Sequence, residues 1–150
     1  MRLAAPDRAG LRPYGVRLPG RAGGGFFDIL VKGRGAHGAR PQASIDPVIA
    51  CCHIATALQT VVARNLPPGE MGVLSVTRIS GGDAYNVIPE EARMGGTVRA
   101  MKRETLSAIE TAMQRVVTGV AEGLGGRAEL DYRVIFAPLV NSAGPTQAFA

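Results

Sequence analysis

The chain has 150 residues, which is enough for one domain of ordinary size. Hydrophobic residues make up 46% and charged residues 19%, which argues against wholesale disorder, while the 5% share of aromatic residues argues against a nucleic-acid platform of stacked rings. We find neither an apolar run of the ~18–20 residues that a membrane span needs nor a secretory signal pattern, so we expect a soluble protein without a membrane partner.

The net charge of +5 is concentrated at the N-terminus. Residues 1–25 contain five Arg, one Asp, six Gly and three Pro and show no hydrophobic period. We therefore expect a flexible basic tail over 1–25 and a nearly neutral folded part, with no nucleic-acid partner. The two cysteines, Cys51 and Cys52, are adjacent and cannot form a disulfide framework, which favours a cytoplasmic protein.

Hydrophobic periodicity and stop signals predict four strands and two helices in the order strand–helix–strand–strand–helix–strand. The first helix begins at an Asp46–Pro47 cap signal, and Gly125 and Gly126 are the stop signals after the second. The predicted elements are strands Phe26–Lys32, Gly72–Ser80, Glu91–Ala100 and Ala128–Phe136, with helices from Pro47 to about Arg64 and from about Arg103 to Leu124.

This order predicts an α+β fold of the ferredoxin-like type, βαββαβ, with a four-stranded antiparallel sheet and both helices on one face. The domain would cover residues 26–136, and residues 137–150 would form a C-terminal linker. The predicted order leaves the strand Gly72–Ser80 at an edge, and a free edge or an uncovered face is a place where another surface can dock.

The potential metal ligands are too few and badly spaced for a metal site. Cys51, Cys52 and His53 are consecutive on a helix, so their side chains fan out about 100° apart and cannot converge on one ion. The same geometry aims His53 at neither thiol, so a cysteine nucleophile would lack a base. We predict no metal site in this chain.

His37 follows the first strand in a loop that contains Gly33, Gly35 and Gly38. Glycines permit unusual backbone angles and close approach to another molecule, and a histidine presented on such a loop can stabilise an oxyanion. Taken alone, the loop would favour the interpretation of His37 as an exposed histidine that has no function.

Three motifs at matching separations resemble those of a known family. They are GRGAHGARPQASIDPV at Gly33–Val48, GGDAYNVIP at Gly81–Pro89 and GTVRA at Gly96–Ala100. Together they resemble the lid, or dimerisation, domain of the dinuclear metallo-amidohydrolases of peptidase family M20, in particular the branch of the hippurate hydrolases and N-acyl-amino-acid amidohydrolases. The lid of that family is ferredoxin-like, in agreement with the element order.

The resemblance implies roles for three residues. His37 would be catalytic, reaching the active site of a partner subunit and stabilising the oxyanion, and Asn86 and Arg99 would bind the substrate. It also implies a homodimer, an N-acyl amino acid substrate and a catalytic domain that binds two divalent metal ions (Zn, Mn, Co or Ni).

This chain carries no metal-ligand motif of the catalytic domain before or after the lid-like region, so we expect it to be inactive alone, as a fragment of an amidohydrolase or one half of a split enzyme. Two alternatives remain at this point. A nucleic-acid-binding module of the same fold would fit the pI of 9.9, although the strand Glu91–Ala100 lacks the aromatic residues it would need. A module that senses small molecules would be revealed by thermal shifts with amino acids or their acyl derivatives.

Overall fold

The computed structural model describes residues 19–140. In chain order the elements are β1 (Pro19–Arg21), β2 (Gly23–Lys32), β3 (Ala36–His37), α1 (Pro47–Asn65), β4 (Gly72–Gly81), β5 (Val87–Ile88), β6 (Glu91–Ala100), α2 (Arg103–Gly123), β7 (Arg127–Phe136) and β8 (Leu139–Val140). A 3₁₀ turn at Pro41–Ala43 lies between β3 and α1.

The main sheet has four antiparallel strands in the order β4-β6-β2-β7. This order, with α1 and α2 between the strands they connect, is the predicted ferredoxin-like arrangement, which is confirmed. β4 lies at one edge and β7 at the other, so the prediction that the second main strand is an edge strand is also confirmed. Two short ribbons, β1 with β8 and β3 with β5, stand apart from the main sheet.

The core lies between one face of the sheet and the two helices. Alternate residues of β2 and β6 point into it, among them Phe27, Ile29 and Met94, each about 1% exposed. The helices contribute apolar side chains at helical spacing, namely Ala50, Cys51, Ile54, Leu58 and Val61 from α1 and Leu106, Ile109, Ala112, Met113, Val117 and Ala121 from α2. The intervening residues of the strands point to the opposite face, which we call the open face.

The start of α1 is fixed by its cap. The carboxylate of Asp46 accepts hydrogen bonds from the backbone N–H groups of Val48 (2.9 Å) and Ile49 (3.1 Å), and Pro47 occupies the first helical position. The structure thus confirms the capping signal. α2 ends at Gly123, one residue before the predicted end at Leu124, and the predicted stop signal Gly125 has a φ of +81°, a left-handed conformation that favours glycine.

α1 has 19 residues and a mean hydropathy of 1.3 over its most apolar window, so by length and composition it is long and apolar enough to cross a membrane. The prediction that no segment of the chain approaches the length and apolar character of a membrane span is therefore corrected for α1. The apolar character has a source within the fold, because the helix buries Pro47, Ala50, Cys51, Ile54, Leu58 and Val61.

β2 begins at Gly23, three residues before the predicted start at Phe26. Glycine is a poor strand former, but here the strand requires it. A Cβ at Gly23 would lie 2.4 Å from Pro138 Cδ and a Cβ at Gly25 would lie 2.5 Å from the Arg133 carbonyl oxygen. The part of the predicted tail from residue 19 is therefore in strands, and the part from 1 to 18 lies outside the described residues. Of the predicted linker, residues 139–140 form β8, and residues 141–150 lie outside the described part.

A β-bulge interrupts β4. The pairing with β6 shifts between Val76 and Arg78, so that Thr77 is the extra residue. Strict alternation predicts Arg78 on the face of Leu74 and Val76, which point to the helices; the bulge turns it to the open face instead. The prediction for this side chain was wrong because a bulge leaves no mark in the hydrophobic pattern.

Candidate functional site

His37 lies on the short ribbon that β3 forms with β5, opposite Val87. Its side chain is exposed, and its Nδ1 accepts a hydrogen bond from the backbone N–H of Ala39 at 3.1 Å. A neutral imidazole whose Nδ1 is an acceptor carries its proton on Nε2. The Nε2–H group, which has no protein acceptor within residues 19–140, is therefore a donor available to another molecule.

Asn86 is a direct neighbour of this ribbon. Its carbonyl oxygen accepts a hydrogen bond from the N–H of Gly38 at 2.7 Å, and a Cβ at Gly38 would lie 3.3 Å from the same carbonyl group. The close approach explains the glycine after His37. The structure thus brings His37 and Asn86 together on adjacent backbone segments, both exposed.

The loop that carries His37 is braced at its base. Arg34 and Ile45 exchange two backbone hydrogen bonds of 2.9 and 3.0 Å, and the Arg34 Nε donates to the carbonyl oxygen of Ala43 at 2.9 Å. Gly33 makes the crossing possible, since a Cβ there would lie 2.1 Å from the Ile45 carbonyl oxygen. The histidine is therefore presented from a fixed loop.

Arg99 lies on the open face near the end of β6 that precedes α2. Its Nη1 donates to the Thr97 Oγ1 (2.8 Å) and to the Val98 carbonyl oxygen (2.9 Å), and its Cζ lies 5.2 Å from the ring centroid of Phe136 and 6.0 Å from that of Phe26. Sequence reading identified Arg99 but missed these three side chains. Their only sequence signal is the alternation that puts Phe26, Thr97 and Arg99 on one face.

The three predicted residues do not form one site within a single chain. His37 and Asn86 lie beyond the end of β6 that begins at Glu91, whereas Arg99 is eight residues along that strand. At about 3.3 Å per residue, β6 alone separates Glu91 from Arg99 by about 26 Å. A small substrate cannot contact both ends at once in one copy.

An ionic cluster occupies the middle of the open face. Arg78 from β4 and Arg133 from β7 both donate to the carboxylate of Asp28 on β2. The Nε of Arg133 also lies 3.3 Å from the Oδ2 of Asp131. Arg78 crosses over Gly95 of β6, where a Cβ would lie 2.7 Å from its Nε. The hydrogen bond from Arg78, followed by that from Arg133, lowers the pKa of Asp28 below its ordinary 3.8. The cluster spans the sheet, and sequence reading missed it because it depends on the bulge at Thr77.

The two thiols differ in environment. Cys51 is buried, and burial raises the pKa of its thiol to about 11, whereas Cys52 is exposed. A thiol that stays protonated at neutral pH is a poor nucleophile, so Cys51 is a core residue.

The described residues do not fit the two metal ions that the resemblance implies for the whole enzyme. Between residues 19 and 140 no three His, Cys, Asp or Glu side chains are grouped so that they could hold an ion. A metal-dependent step would require ligands from elsewhere.

Comparison with known proteins agrees with the motifs. The family model described as the peptidase dimerisation domain matches residues 20–123. N-acetylcysteine deacetylase of Bacillus subtilis (strain 168) is 42% identical over 106 residues, which are 71% of this chain and 28% of that protein. This chain thus spans under a third of the relative's length.

Solved structures give the same result. The crystal structure of a putative aminohydrolase from methicillin-resistant Staphylococcus aureus superposes with a TM-score of 0.79 at 33% identity, covering 85% of this chain and 33% of that one. The YXEP protein of Bacillus subtilis, described as a dinuclear metal binding peptidase from family M20, superposes with a TM-score of 0.64 at 32% identity, covering 81% of this chain and 28% of that one.

The motifs around His37, Asn86 and Arg99, the ferredoxin-like sheet and these similarities lead to one assignment. The chain belongs to the peptidase dimerisation domain family of the M20 amidohydrolases.

Proposed function

We propose that this chain is the lid and dimerisation module of a metal-dependent N-acyl-amino-acid amidohydrolase, and that each complete active site takes residues from two copies of it. His37 and Asn86 come from one copy, and Arg99 comes from the other. The metal ions belong to a catalytic domain that the described residues do not include, so we expect no hydrolysis by this module alone.

The observation that carries the proposal is the placement of these residues at opposite ends of β6, about 26 Å apart along the strand. All three are accessible at least in part, and each carries a donor suited to an acyl amino acid. A two-fold dimer can join the separated halves, because such an interface brings unlike positions of the two copies together.

The free edge of β4 provides such an interface. β4 runs from Gly72, which lies beside Ala100, to Gly81, which lies beside Ala92 and near the His37 ribbon. If two copies pair antiparallel through β4, the Gly81 end of one lies beside the Gly72 end of the other. The partner's His37 and Asn86 then approach Arg99, which lies next to Val73 in the register of β4 and β6.

The apolar side chains at the β4 edge also support its burial against a second copy of the chain. Four large apolar side chains on or beside it are about half exposed or more, namely Ile49 of α1 (51%), Met71 (67%), Val73 (54%) and Ile79 (48%). We call this set the dimer edge. Exposed apolar residues along an unpaired strand are typical of a surface that another chain covers.

The chemistry of the three side chains matches one substrate class. The guanidinium of Arg99 can bind a carboxylate, the Nε2–H of His37 can donate to an oxygen that becomes negative during acyl transfer, and the amide of Asn86 can donate to a carbonyl. An N-acyl amino acid offers all three acceptors. The relative N-acetylcysteine deacetylase is consistent with this class, and we retain hippurate-type substrates as the finer proposal.

The proposal is tested in a chimera of that Bacillus subtilis deacetylase whose dimerisation domain is replaced by residues 19–140 of this chain. The chimera should hydrolyse N-acetylcysteine. His37→Ala should lower kcat by about 10²-fold or more, as loss of an oxyanion donor does, while Arg99→Ala should mainly raise KM.

Thr111→Val is the matched control, because Thr111 is exposed on α2 and lies neither on β4 nor on the open face that carries Arg99. Activity of the chimera that is unchanged by both His37→Ala and Arg99→Ala would refute the proposal.

A further inference from the structure

We propose that Phe136, Phe26 and Thr97 are positioning residues that hold the Arg99 guanidinium with its Nε–Nη2 edge directed outward, to receive the α-carboxylate of the substrate through two parallel hydrogen bonds. The proposal rests on the substrate-binding role of Arg99 given above and adds how that role is achieved.

Thr97 fixes one end of the guanidinium. The Thr97 Oγ1 donates its proton to the Gly25 carbonyl oxygen at 3.2 Å and accepts from the Arg99 Nη1 at 2.8 Å. Because the hydroxyl proton is committed to Gly25, the oxygen presents a lone pair to Arg99. The Val98 carbonyl oxygen accepts a second bond from the same Nη1 at 2.9 Å.

Two aromatic rings lie close to the guanidinium group. Phe136 and Phe26 place their ring centroids 5.2 and 6.0 Å from the Arg99 Cζ, within the range of cation–π attraction. Both rings are partly exposed, at 39% and 47%, so the core does not account for their positions.

The backbone around the rings is shaped to admit the arginine. The pairing of β2 with β7 shifts between Gly24 and Gly25, and this bulge puts Phe136 opposite Gly24. Gly24 also lies opposite Arg99 on its other side, and a Cβ there would be 2.3 Å from the Nη1. The missing side chain at Gly24 therefore provides the space that the guanidinium occupies.

The remaining donors define the ligand. With Nη1 engaged, Nε and Nη2 form the one edge of the guanidinium that has no protein acceptor in the part of the chain that the structure describes. Two parallel N–H groups match the two oxygens of a carboxylate. A lysine could not present them, and a neutral amide offers a single acceptor oxygen.

The test uses the full 150-residue chain and NMR signals of Arg99. The Nε–H resonance is identified as the arginine signal lost in Arg99→Lys, and N-acetylglycine is titrated at constant ionic strength against neutral N-acetylglycinamide. We expect the resonance to shift with the acid, in the millimolar range, and not with the amide.

Phe136→Leu should weaken this binding about two- to five-fold, which corresponds to the loss of one exposed cation–π contact, and Phe136→Tyr should restore it. Thr97→Val should also weaken it, Thr97→Ser should restore it, and Thr111→Val on α2 should have no effect. Independently of any ligand, the Arg99 Hδ protons should show ring-current shifts that Phe136→Leu reduces and Phe136→Tyr keeps.

The outcomes separate the two proposals. Arg99-dependent binding that is insensitive to both Phe136→Leu and Thr97→Val would overturn the positioning role and leave the role of Arg99 intact. Absence of any Arg99 shift with N-acetylglycine would overturn the carboxylate-binding role itself, and the positioning claim with it.

Discussion

The dimer edge can be disrupted at Ile79 without touching the core. Ile79 lies on β4 and is 48% exposed, so about half of its side chain remains to be covered by a partner. Full burial of an isoleucine contributes about 1.5–3 kcal/mol, so the uncovered half is worth about 0.7–1.5 kcal/mol per copy. Two-fold symmetry doubles this contribution to the stability of the dimer. Ile79→Lys should therefore weaken dimerisation by about 1.5–3 kcal/mol or more, which corresponds to a roughly 10- to 100-fold higher Kd.

The assay is sedimentation equilibrium of the full chain over a range of concentrations. The wild type should dimerise, and Ile79→Lys should shift the transition to at least tenfold higher concentration. The free energy of unfolding of the monomer in urea, measured at concentrations below the dimer Kd, should change by less than about 1 kcal/mol. At an exposed strand position, a substitution acts mainly through β-propensity.

Ile135→Lys is the matched control for this experiment. Ile135 is 55% exposed on β7, the opposite edge of the same sheet, and undergoes the same substitution. Its dimer Kd should remain close to that of the wild type. If the Kd is unchanged in Ile79→Lys, or if Ile135→Lys raises it as much, then β4 does not form the interface and the reasoning is refuted.

Three further predictions concern the fold. Asp46→Ala should lower the free energy of unfolding in urea by about 1 kcal/mol through loss of the α1 cap, and an unchanged value would contradict the capping role. In the native chain one thiol, Cys52, should react rapidly with a disulfide reagent and Cys51 only after denaturation; two rapid equivalents would show that Cys51 is not buried. Asp28→Asn should reduce the unfolding free energy by about 0.5–1 kcal/mol at pH 7. Because Arg78 above all lowers the pKa of Asp28, this difference should be full above about pH 4 and vanish as the pH falls through the folded-state pKa; a difference that persists in acid would exclude the ionic contribution.

The features that could be predicted from the sequence are those encoded locally. The Asp46–Pro47 cap, the stripe of α2 and the glycine after its end are short-range signals, and each element they predict is present. The strand order of the sheet follows from the element order, because a ferredoxin-like chain leaves its second strand at an edge.

The features that sequence reading missed depend on tertiary contacts. Gly23–Gly25 looks like loop sequence, yet it pairs with two strands because its missing side chains make room for Pro138, Arg99 and the Arg133 carbonyl. The ribbon of β3 and β5 has two residues per strand, too few for any periodicity. It is nevertheless the element that joins His37 to Asn86.

The motifs identified the candidate residues, but they did not predict the distance between His37 and Arg99 in the fold. Residue spacing along the chain says nothing about which end of a strand lies near which loop. The antiparallel register of β4, β6 and β2 supplies that information and places His37 and Arg99 at opposite ends.

The shared active site is tested most directly by a heterodimer of the chimera with His37→Ala in one subunit and Arg99→Ala in the other, isolated through two different tags. One of its two sites then combines an intact Arg99 with an intact His37 from the other subunit. We predict about half of the wild-type kcat per dimer, although each homodimeric variant is impaired. Activity no higher than that of the two single variants would mean that both residues act within one chain, and would contradict the shared site.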